Sequence, residues 1–111
     1  MKLTNEGIIK IRKYFMERGF FCNQFDGIVY TYQTGSDTEV KKSFSILVNI
    51  SKMFVNISFD DIEYRKLNPY QPRQVIMKYN WKISDLENID LLIHNIDKFI
   101  SISLGRIGVE W

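Results

Sequence analysis

The spacing of apolar side chains changes twice along this chain of 111 residues. It follows a period of about 3.6 near the start, a period of two through the middle, and about 3.6 again near the end. The longer period places apolar side chains along one stripe of a helix, and the period of two places them on one face of a strand. Because the helical and strand patterns are segregated rather than alternating, the chain is restricted to the α+β class.

The first helical pattern predicts a helix from about Asn5 to Arg18. Its apolar stripe consists of Ile8, Ile11 and Phe15. Gly19 follows directly, and a glycine adopts the left-handed conformation that closes a helix at little cost. We therefore expect Gly19 to end this helix and Phe20 to fold back on its last turn.

The second helical pattern predicts a long helix that begins at Ser84 and includes Ile100. The run Ser84-Asp85-Leu86-Glu87 has the spacing of a capping box, in which the serine and the glutamate satisfy exposed backbone donors. Its apolar stripe contains Leu86, Ile89, Leu92, Ile93, Ile96, Phe99 and Ile100. Beyond it, the alternation of Ile107, Val109 and Trp111 is compatible with a short added strand.

Five segments between the helices alternate apolar and polar residues with a period of two, which predicts five strands. Asp26-Gly27 is a strong two-residue hairpin turn, and that turn would pair Phe21 with Tyr32 and Asn23 with Tyr30. A second tight reversal is expected near Ser51-Lys52. Consecutive strands joined in this way form an antiparallel meander.

The predicted architecture is an N-terminal helix, a five-stranded antiparallel meander and a C-terminal helix in a single domain of residues 1–111. Five strands make a sheet about 24 Å wide, and two helices of about 10 Å diameter cover nearly all of one face. Both helices should therefore pack on the same face, and the opposite face should have no cover.

The uncovered face is predicted to be mostly polar, with two apolar exceptions, Leu47 and Phe54. Its polar members would be Ser43, Ser45, Asn49, Asn56, Ser58, Lys78, Asn80 and Lys82. Antiparallel sheets commonly leave one face solvated, and that outcome stays open here. The alternative is a docking surface, either for a protein partner or for a second copy of the chain.

The net charge of +2 conceals a basic segment at residues 64–84, which contains no acidic residue. Its basic and aromatic members include Tyr64, Arg65, Lys66, Tyr70, Arg73, Lys78 and Lys82. Basic groups attract phosphate and exposed rings stack on bases, so this segment is a candidate for binding RNA or single-stranded DNA. Arginine and tyrosine are also enriched in protein-binding hot spots. The period of two sends Tyr79 and Trp81 into the core.

Catalytic chemistry has little support in the sequence. The single histidine, His94, shares a helix face with Asp90 and Asp97, but this face is opposite the apolar stripe, and we expect it to be solvated. Asp60-Asp61-Ile62-Glu63 lacks the spacing of a calcium loop, and no nucleophile motif or glycine-rich phosphate loop occurs. We therefore expect no enzymatic activity, no metal and no cofactor.

The compartment expected from the sequence is the cytoplasm. No apolar run reaches the roughly 7–15 residues of a secretory signal or the roughly 18 residues of a membrane span, so we expect no membrane association. Cys22 is the only cysteine, which excludes an intramolecular disulfide and suits a reducing environment.

The sequence thus favours a small non-enzymatic protein-binding module that masks a surface of a larger protein. Phage or mobile-element inhibitors of bacterial defence, such as anti-CRISPR proteins, and toxin-immunity proteins act in this way. The alternative is an RNA- or single-stranded-DNA-binding module that uses residues 64–82, and a homodimer through the uncovered face is a third possibility. The predicted partner-binding residues are Leu47, Phe54, Tyr64, Arg65, Lys66, Tyr70, Arg73, Lys78, Asn80 and Lys82.

Overall fold

The computed structural model describes residues 4–23, 28–33, 44–60, 66–70, 74–106 and 108–111. Its helices and strands are α1 (Asn5–Glu17), β1 (Phe21–Asn23), β2 (Val29–Gln33), β3 (Phe44–Asn49), β4 (Phe54–Asp60), β5 (Gln74–Asn80), a 3-10 helix (Ile83–Glu87) and α2 (Ile89–Gly105). No helix in these described ranges is long and apolar enough to cross a membrane.

The strands form one sheet in the order β1-β2-β3-β4-β5, and every neighbouring pair is antiparallel. Helix α1 contacts β1, α2 contacts β4 and β5, and the two helices contact each other. The predicted fold class, an α+β meander with both helices on one sheet face, is confirmed.

Helix α1 begins and ends as its sequence predicts. The Thr4 hydroxyl accepts a hydrogen bond from the Gly7 N–H at 3.1 Å, which caps the first turn. Gly19 has a φ of +88°, and the N–H groups of Gly19 and Phe20 donate to the carbonyls of Met16 and Phe15. This is the Schellman arrangement, and it returns the buried Phe20 ring to the Phe15 ring, with centroids 4.9 Å apart.

The second helix does not begin at Ser84, so that prediction is wrong. Asp85 accepts a hydrogen bond from the Lys82 N–H at 2.8 Å and closes a 3-10 turn over residues 83–87. The α-helix starts only after Asn88, whose side chain accepts from the Leu91 N–H at 3.2 Å. Asparagine is among the strongest helix N-caps, and it takes precedence over the upstream Ser84.

The predicted pairing of β1 with β2 is wrong by one residue. Phe21 lies opposite Thr31 instead of Tyr32, and Cys22 lies opposite Tyr30. A shift of one residue moves a side chain to the other face of the sheet. The Phe21 side chain is therefore directed away from the core, whereas Tyr30 is buried in it.

The core lies between the helices and one face of the sheet. It contains Ile11, Phe15, Phe20, Tyr30, Phe44, Ile46, Val48, Ile50, Val55, Ile57, Trp81, Leu92, Ile96, Ile100 and Leu104. The strand members alternate as predicted for β3 and β4, and Tyr79 and Trp81 pack on the core side, also as predicted. Each of these side chains contributes about 1.5–3 kcal/mol of burial free energy.

A carboxylate on α2 ties the two helices to the end of the described chain. Asp97 Oδ1 accepts hydrogen bonds from the Tyr14 hydroxyl and from Trp111 Nε1, and it lies 3.4 Å from Arg18 Nη2. The Arg18 guanidinium lies over the Tyr14 and Trp111 rings, 5.2 and 5.6 Å from their centroids. Trp111 is therefore a packing residue, and residues 108–111 do not form the short strand that was considered possible.

We predict that Asp97→Ala lowers the free energy of unfolding by about 2–3 kcal/mol, because it leaves three donors around a half-buried position without their acceptor. Asp90→Ala is the matched control on the same helix. Asp90 pairs with Lys10 across 3.4 Å with both side chains more than half exposed, and such a pair contributes less than about 1 kcal/mol. Urea denaturation followed by circular dichroism measures both values. Equal losses in the two variants would contradict the role of Asp97.

Tyr30 is the buried titratable group on the core face of β2, where it stacks on the Phe15 ring with centroids 4.9 Å apart. Burial, together with the neighbouring Cys22, raises the pKa of the Tyr30 hydroxyl to about 12. Because the folded state holds this proton more tightly than the unfolded state, the resulting stability is complete below pH 10 and is lost as the pH rises towards 12.

We predict that Tyr30→Phe removes part of this alkaline loss. Between pH 8 and pH 11, the unfolding free energy of the variant minus that of the wild type should rise by about 1 kcal/mol. Denaturant titrations at the two pH values measure the change. A difference that stays constant with pH would exclude Tyr30 as its source.

Candidate functional site

The sheet face opposite the helices, called here the open face, is covered by no described helix or strand, and its side chains form rows that cross the strands. The strand registers place these described side chains in three rows: Phe21, Thr31, Leu47, Asn56 and Lys78; Val29, Asn49, Phe54 and Asn80; and Ser45, Ser58 and Ile76. Side chains in one row are neighbours, because residues directly opposite each other on adjacent strands face the same side.

Large apolar side chains are exposed at both borders of the open face. Phe21 on β1 is 75% exposed and Ile76 on β5 is 62% exposed, while Leu47 and Phe54 between them are half-buried. Single exposed apolar residues are ordinary on protein surfaces, but apolar residues spread across one contiguous face indicate an interaction surface.

Lys78 places a charged side chain on the open face. Its Nζ lies 4.7 Å from the centroid of the Phe54 ring, which is a cation–π contact. The contact directs the ammonium group over β4. The open face therefore has a positive charge at a fixed place beside an aromatic ring.

Asn56 lies between Leu47 and Lys78 in the first row. Its Oδ1 atom is buried, and within the described part of the chain it accepts no hydrogen bond. A buried acceptor without a donor costs about 1–3 kcal/mol. The Asn56 side chain therefore costs stability inside the sheet, below the surface of the open face.

The other polar side chains nearby have partners. The Ser45 and Ser58 hydroxyls are 2.6 Å apart, and Asn49 Oδ1 accepts from the Lys52 N–H at 2.8 Å. The second bond closes the turn between β3 and β4, and it explains why Asn49 is only 5% exposed. The prediction that Asn49 is an exposed member of this face is therefore wrong.

Four predicted partner-binding residues meet on the open face, namely Leu47, Phe54, Lys78 and Asn80. Lys82 is exposed beyond the end of β5, and its N–H donates to Asp85. Lys66 and Tyr70 are exposed, and the Tyr70 side chain is 95% accessible. The other three, Tyr64, Arg65 and Arg73, lie outside the described residues.

Sequence reasoning missed Phe21, Ile76 and the unpartnered acceptor of Asn56. Ile76 could have been found, because it alternates with Val75 and Met77 and so belongs to the same face as Lys78. Phe21 was assigned to the other face through the error in the β1–β2 register. The unpartnered state of Asn56 depends on its neighbours in space and has no pattern in the sequence.

The acidic groups around His94 do not converge on it. Asp90 faces Lys10, and Asp97 is half-buried against α1, so the prediction that Asp97 lies on a solvated face is wrong. His94 itself is exposed. Among the described residues, no group of three or more histidine, cysteine, aspartate or glutamate side chains could hold a metal ion.

The most apolar cavity described lies at the end of the sheet, between the start of α1 and the 3-10 helix. Its volume is about 300 Å³, and it is lined by Ile8, Ile28, Ile50, Ser51, Met53, Ile83 and Leu86. The lining has no titratable side chain, and the Ser51 hydroxyl already accepts a hydrogen bond from the Ile28 N–H. This cavity offers apolar packing without chemistry.

We predict that Asn56→Leu raises the free energy of unfolding of the isolated protein by about 1–2 kcal/mol, because it replaces a buried unpartnered acceptor by an apolar group of similar size. Asn80→Leu on the same face is the matched control. Its side chain is exposed, and its effect should stay within about 0.5 kcal/mol. Thermal and urea denaturation measure both, and a destabilised Asn56→Leu variant would contradict the assignment.

Comparison with protein-family models, with curated proteins and with solved structures finds no match for this chain.

Proposed function

We propose that this protein is a small non-enzymatic binding module that docks its open face on the surface of a larger protein. The observation that carries the proposal is the exposed Phe21 and Ile76 pair at the two borders of one uncovered face, with Phe54 and Leu47 between them. Aromatic and aliphatic anchors surrounded by small polar groups are the usual composition of a protein-binding surface.

The chemistry of the open face defines the partner surface that would fit it. Apolar partner side chains would pack on Phe21, Leu47 and Phe54. An acidic side chain of the partner would complement the Lys78 ammonium group. The partner surface is thus apolar, with an acidic group close to the position of Lys78.

An extended sheet face favours masking over turnover. Small substrates are bound in concave sites that bury most of their surface, whereas extended sheet faces match the broad surfaces of other proteins. We therefore propose stoichiometric occupation of a partner as the mode of action. Phage or mobile-element inhibitors of bacterial defence, including anti-CRISPR proteins, and toxin-immunity proteins are the classes that act in this way.

Nucleic-acid binding is the alternative, and the strongly exposed Tyr70 ring with the exposed Lys66 favours it. The contact of Lys78 with Phe54 and the small net charge of +2 favour a protein partner instead. The experiment below therefore separates the two.

We predict that Phe21→Asp weakens binding of the physiological protein partner at least tenfold, because it places a charge in the apolar part of the interface. Ile9→Asp is the matched control, since Ile9 is 65% exposed on α1, away from the open face. Each variant is immobilised as bait against nuclease-treated extract of the native cell or its phage host, and captured proteins are quantified at low salt and at 0.5 M salt.

The proposal is supported by a protein that is captured in a 1:1 ratio by wild type and Ile9→Asp, persists at 0.5 M salt and is lost from Phe21→Asp. Capture that Phe21→Asp retains in full would contradict it. Capture of nucleic acid from untreated extract, abolished by 0.5 M salt and by Lys66→Glu, would replace it by the alternative. Recovery of no protein at all would also overturn it.

A further inference from the structure

The outer edge of β5 is a second surface, distinct from the open face. Among the described strands β5 is the last of the sheet, and its seven residues pair without interruption with β4 on one side. The opposite border, β1, has only three residues. Short strands, bulges and charged side chains, above all lysine, are the usual protection of sheet edges. In β5 the only such feature among the described residues is Lys78, and its ammonium group is turned back over Phe54 on β4.

The hydrogen-bond pattern shows which backbone groups of β5 face outward. The Trp81 N–H donates to the Met53 carbonyl, which continues the β4–β5 register by one pair. Paired and unpaired residues alternate along an antiparallel strand. The N–H and C=O groups of Met77 and Tyr79 therefore face β4, whereas those of Ile76 and Lys78 point outward, away from the sheet.

A second copy of β5 fits this edge when it is antiparallel and centred on Met77. Ile76 of one copy then lies opposite Lys78 of the other, Val75 lies opposite Tyr79, and the two Met77 residues face each other. No like charges are opposed, and β-branched and aromatic residues form favourable cross-strand pairs. The Lys78 ammonium lies over Phe54 on β4, so it is directed away from the second copy.

Helix α2 has an apolar flank on the same side as this edge. Leu91 and Ile102 are 53% and 51% exposed, and with Asn95 and Phe99 they form a stripe at helical spacing. The exposed Lys98 lies at the solvent border of this stripe. The Phe99 ring stacks on Tyr79 of β5, with centroids 5.6 Å apart, which places this flank towards the edge strand. Asp90 and Asp97 lie on the opposite flank, where they contact α1.

The spacing of the layers brings the two α2 helices together. Helix α2 packs over β4 and β5, so its axis lies about one strand spacing from a two-fold axis at the outer edge of β5. Two such helices are separated by about 10 Å, which is the ordinary distance between packed helices. One neighbouring copy can therefore pair with the outer edge of β5 and pack on the flank of α2 at the same time.

From these juxtapositions we propose that the protein forms a two-fold homodimer, in which β5 pairs antiparallel with β5 of a second copy and the Leu91 and Ile102 flanks of α2 pack together. The two sheets become one continuous sheet, and the open faces of both copies stay free on its other side. The inference does not depend on the proposed function, because it uses a different surface.

The first experiment measures the mass of the full chain between 5 and 100 μM by analytical ultracentrifugation. The wild type should have twice the chain mass of 13.2 kDa. Leu91→Glu/Ile102→Glu should raise the dissociation constant at least tenfold, and Lys78→Pro should do the same, because it removes an outward N–H without breaking a bond to β4. Ile9→Glu, which changes an exposed residue of α1, is the control and should remain dimeric.

The second experiment tests the register by disulfide formation with oxidised glutathione as the oxidant. Facing residues of a pair that is not hydrogen-bonded have Cα atoms about 4.5 Å apart, which a disulfide can span. Met77→Cys should therefore give a covalent dimer. Met16→Cys, at a more exposed position on α1, should stay monomeric in denaturing gels, and the native Cys22 is present in both.

A dimeric wild type that is weakened by both interface variants and linked through Met77→Cys supports the proposal. A wild type that is monomeric at 100 μM would overturn it. A dimer that both interface variants retain, or in which Met77→Cys links no faster than Met16→Cys, would also overturn it. Circular dichroism confirms that every variant is folded.

Discussion

Everything in this structure depends on the packing of two helices against one face of a five-stranded sheet. The residues that this packing buries, such as Phe15 on α1, Ile57 on β4 and Ile96 on α2, are almost completely inaccessible to solvent. Two helices of about 10 Å diameter are together about as wide as a five-stranded sheet, so they cover one of its two faces. The core is therefore one layer thick, and the second face of the sheet must be stabilised by its own cross-strand contacts or by a partner.

The packing of the helices needs a specific link as well as apolar contact. Helices α1 and α2 run in the same direction, since Lys10 faces Asp90 and Tyr14 faces Asp97. Parallel helix dipoles repel each other weakly, and the Asp97 carboxylate offsets this by accepting from Tyr14 on α1 and from Trp111 beyond α2. The same carboxylate holds the Arg18 side chain at the end of α1. One half-buried charge thus links α1, α2 and Trp111.

The period of apolar residues was sufficient to predict the fold, the core of β3 and β4 and the sheet face opposite the helices. Burial selects every second side chain of a strand and every third or fourth side chain of a helix, so both elements leave a pattern in the sequence. Features that depend on one or two residues were not predicted correctly. Ser84 and Asn88 are both good N-caps, and the sequence alone does not show which of them begins α2. The β1–β2 register differs by one residue from the predicted one, and this difference places Phe21 on the other face of the sheet. The role of Asp97 was not predicted, because the three donors that surround its carboxylate are distant from it in sequence. On the candidate site, the period predicted Leu47, Phe54, Lys78 and Asn80, but no pattern could reveal that Asn56 has no partner.

The two proposed surfaces are compatible because they point in different directions. Docking on the open face acts perpendicular to the sheet, whereas pairing at β5 acts in its plane. In the proposed dimer the open faces join into one surface, and the two Phe21 side chains lie at its far borders, about nine strand spacings or roughly 43 Å apart. That span exceeds the width of a standard interface of about 800 Å² per partner, so each copy can hold a partner of its own. A dimer of this kind would bind two copies of a partner, or two sites on one symmetric partner, and the second arrangement gains affinity because the second contact is intramolecular.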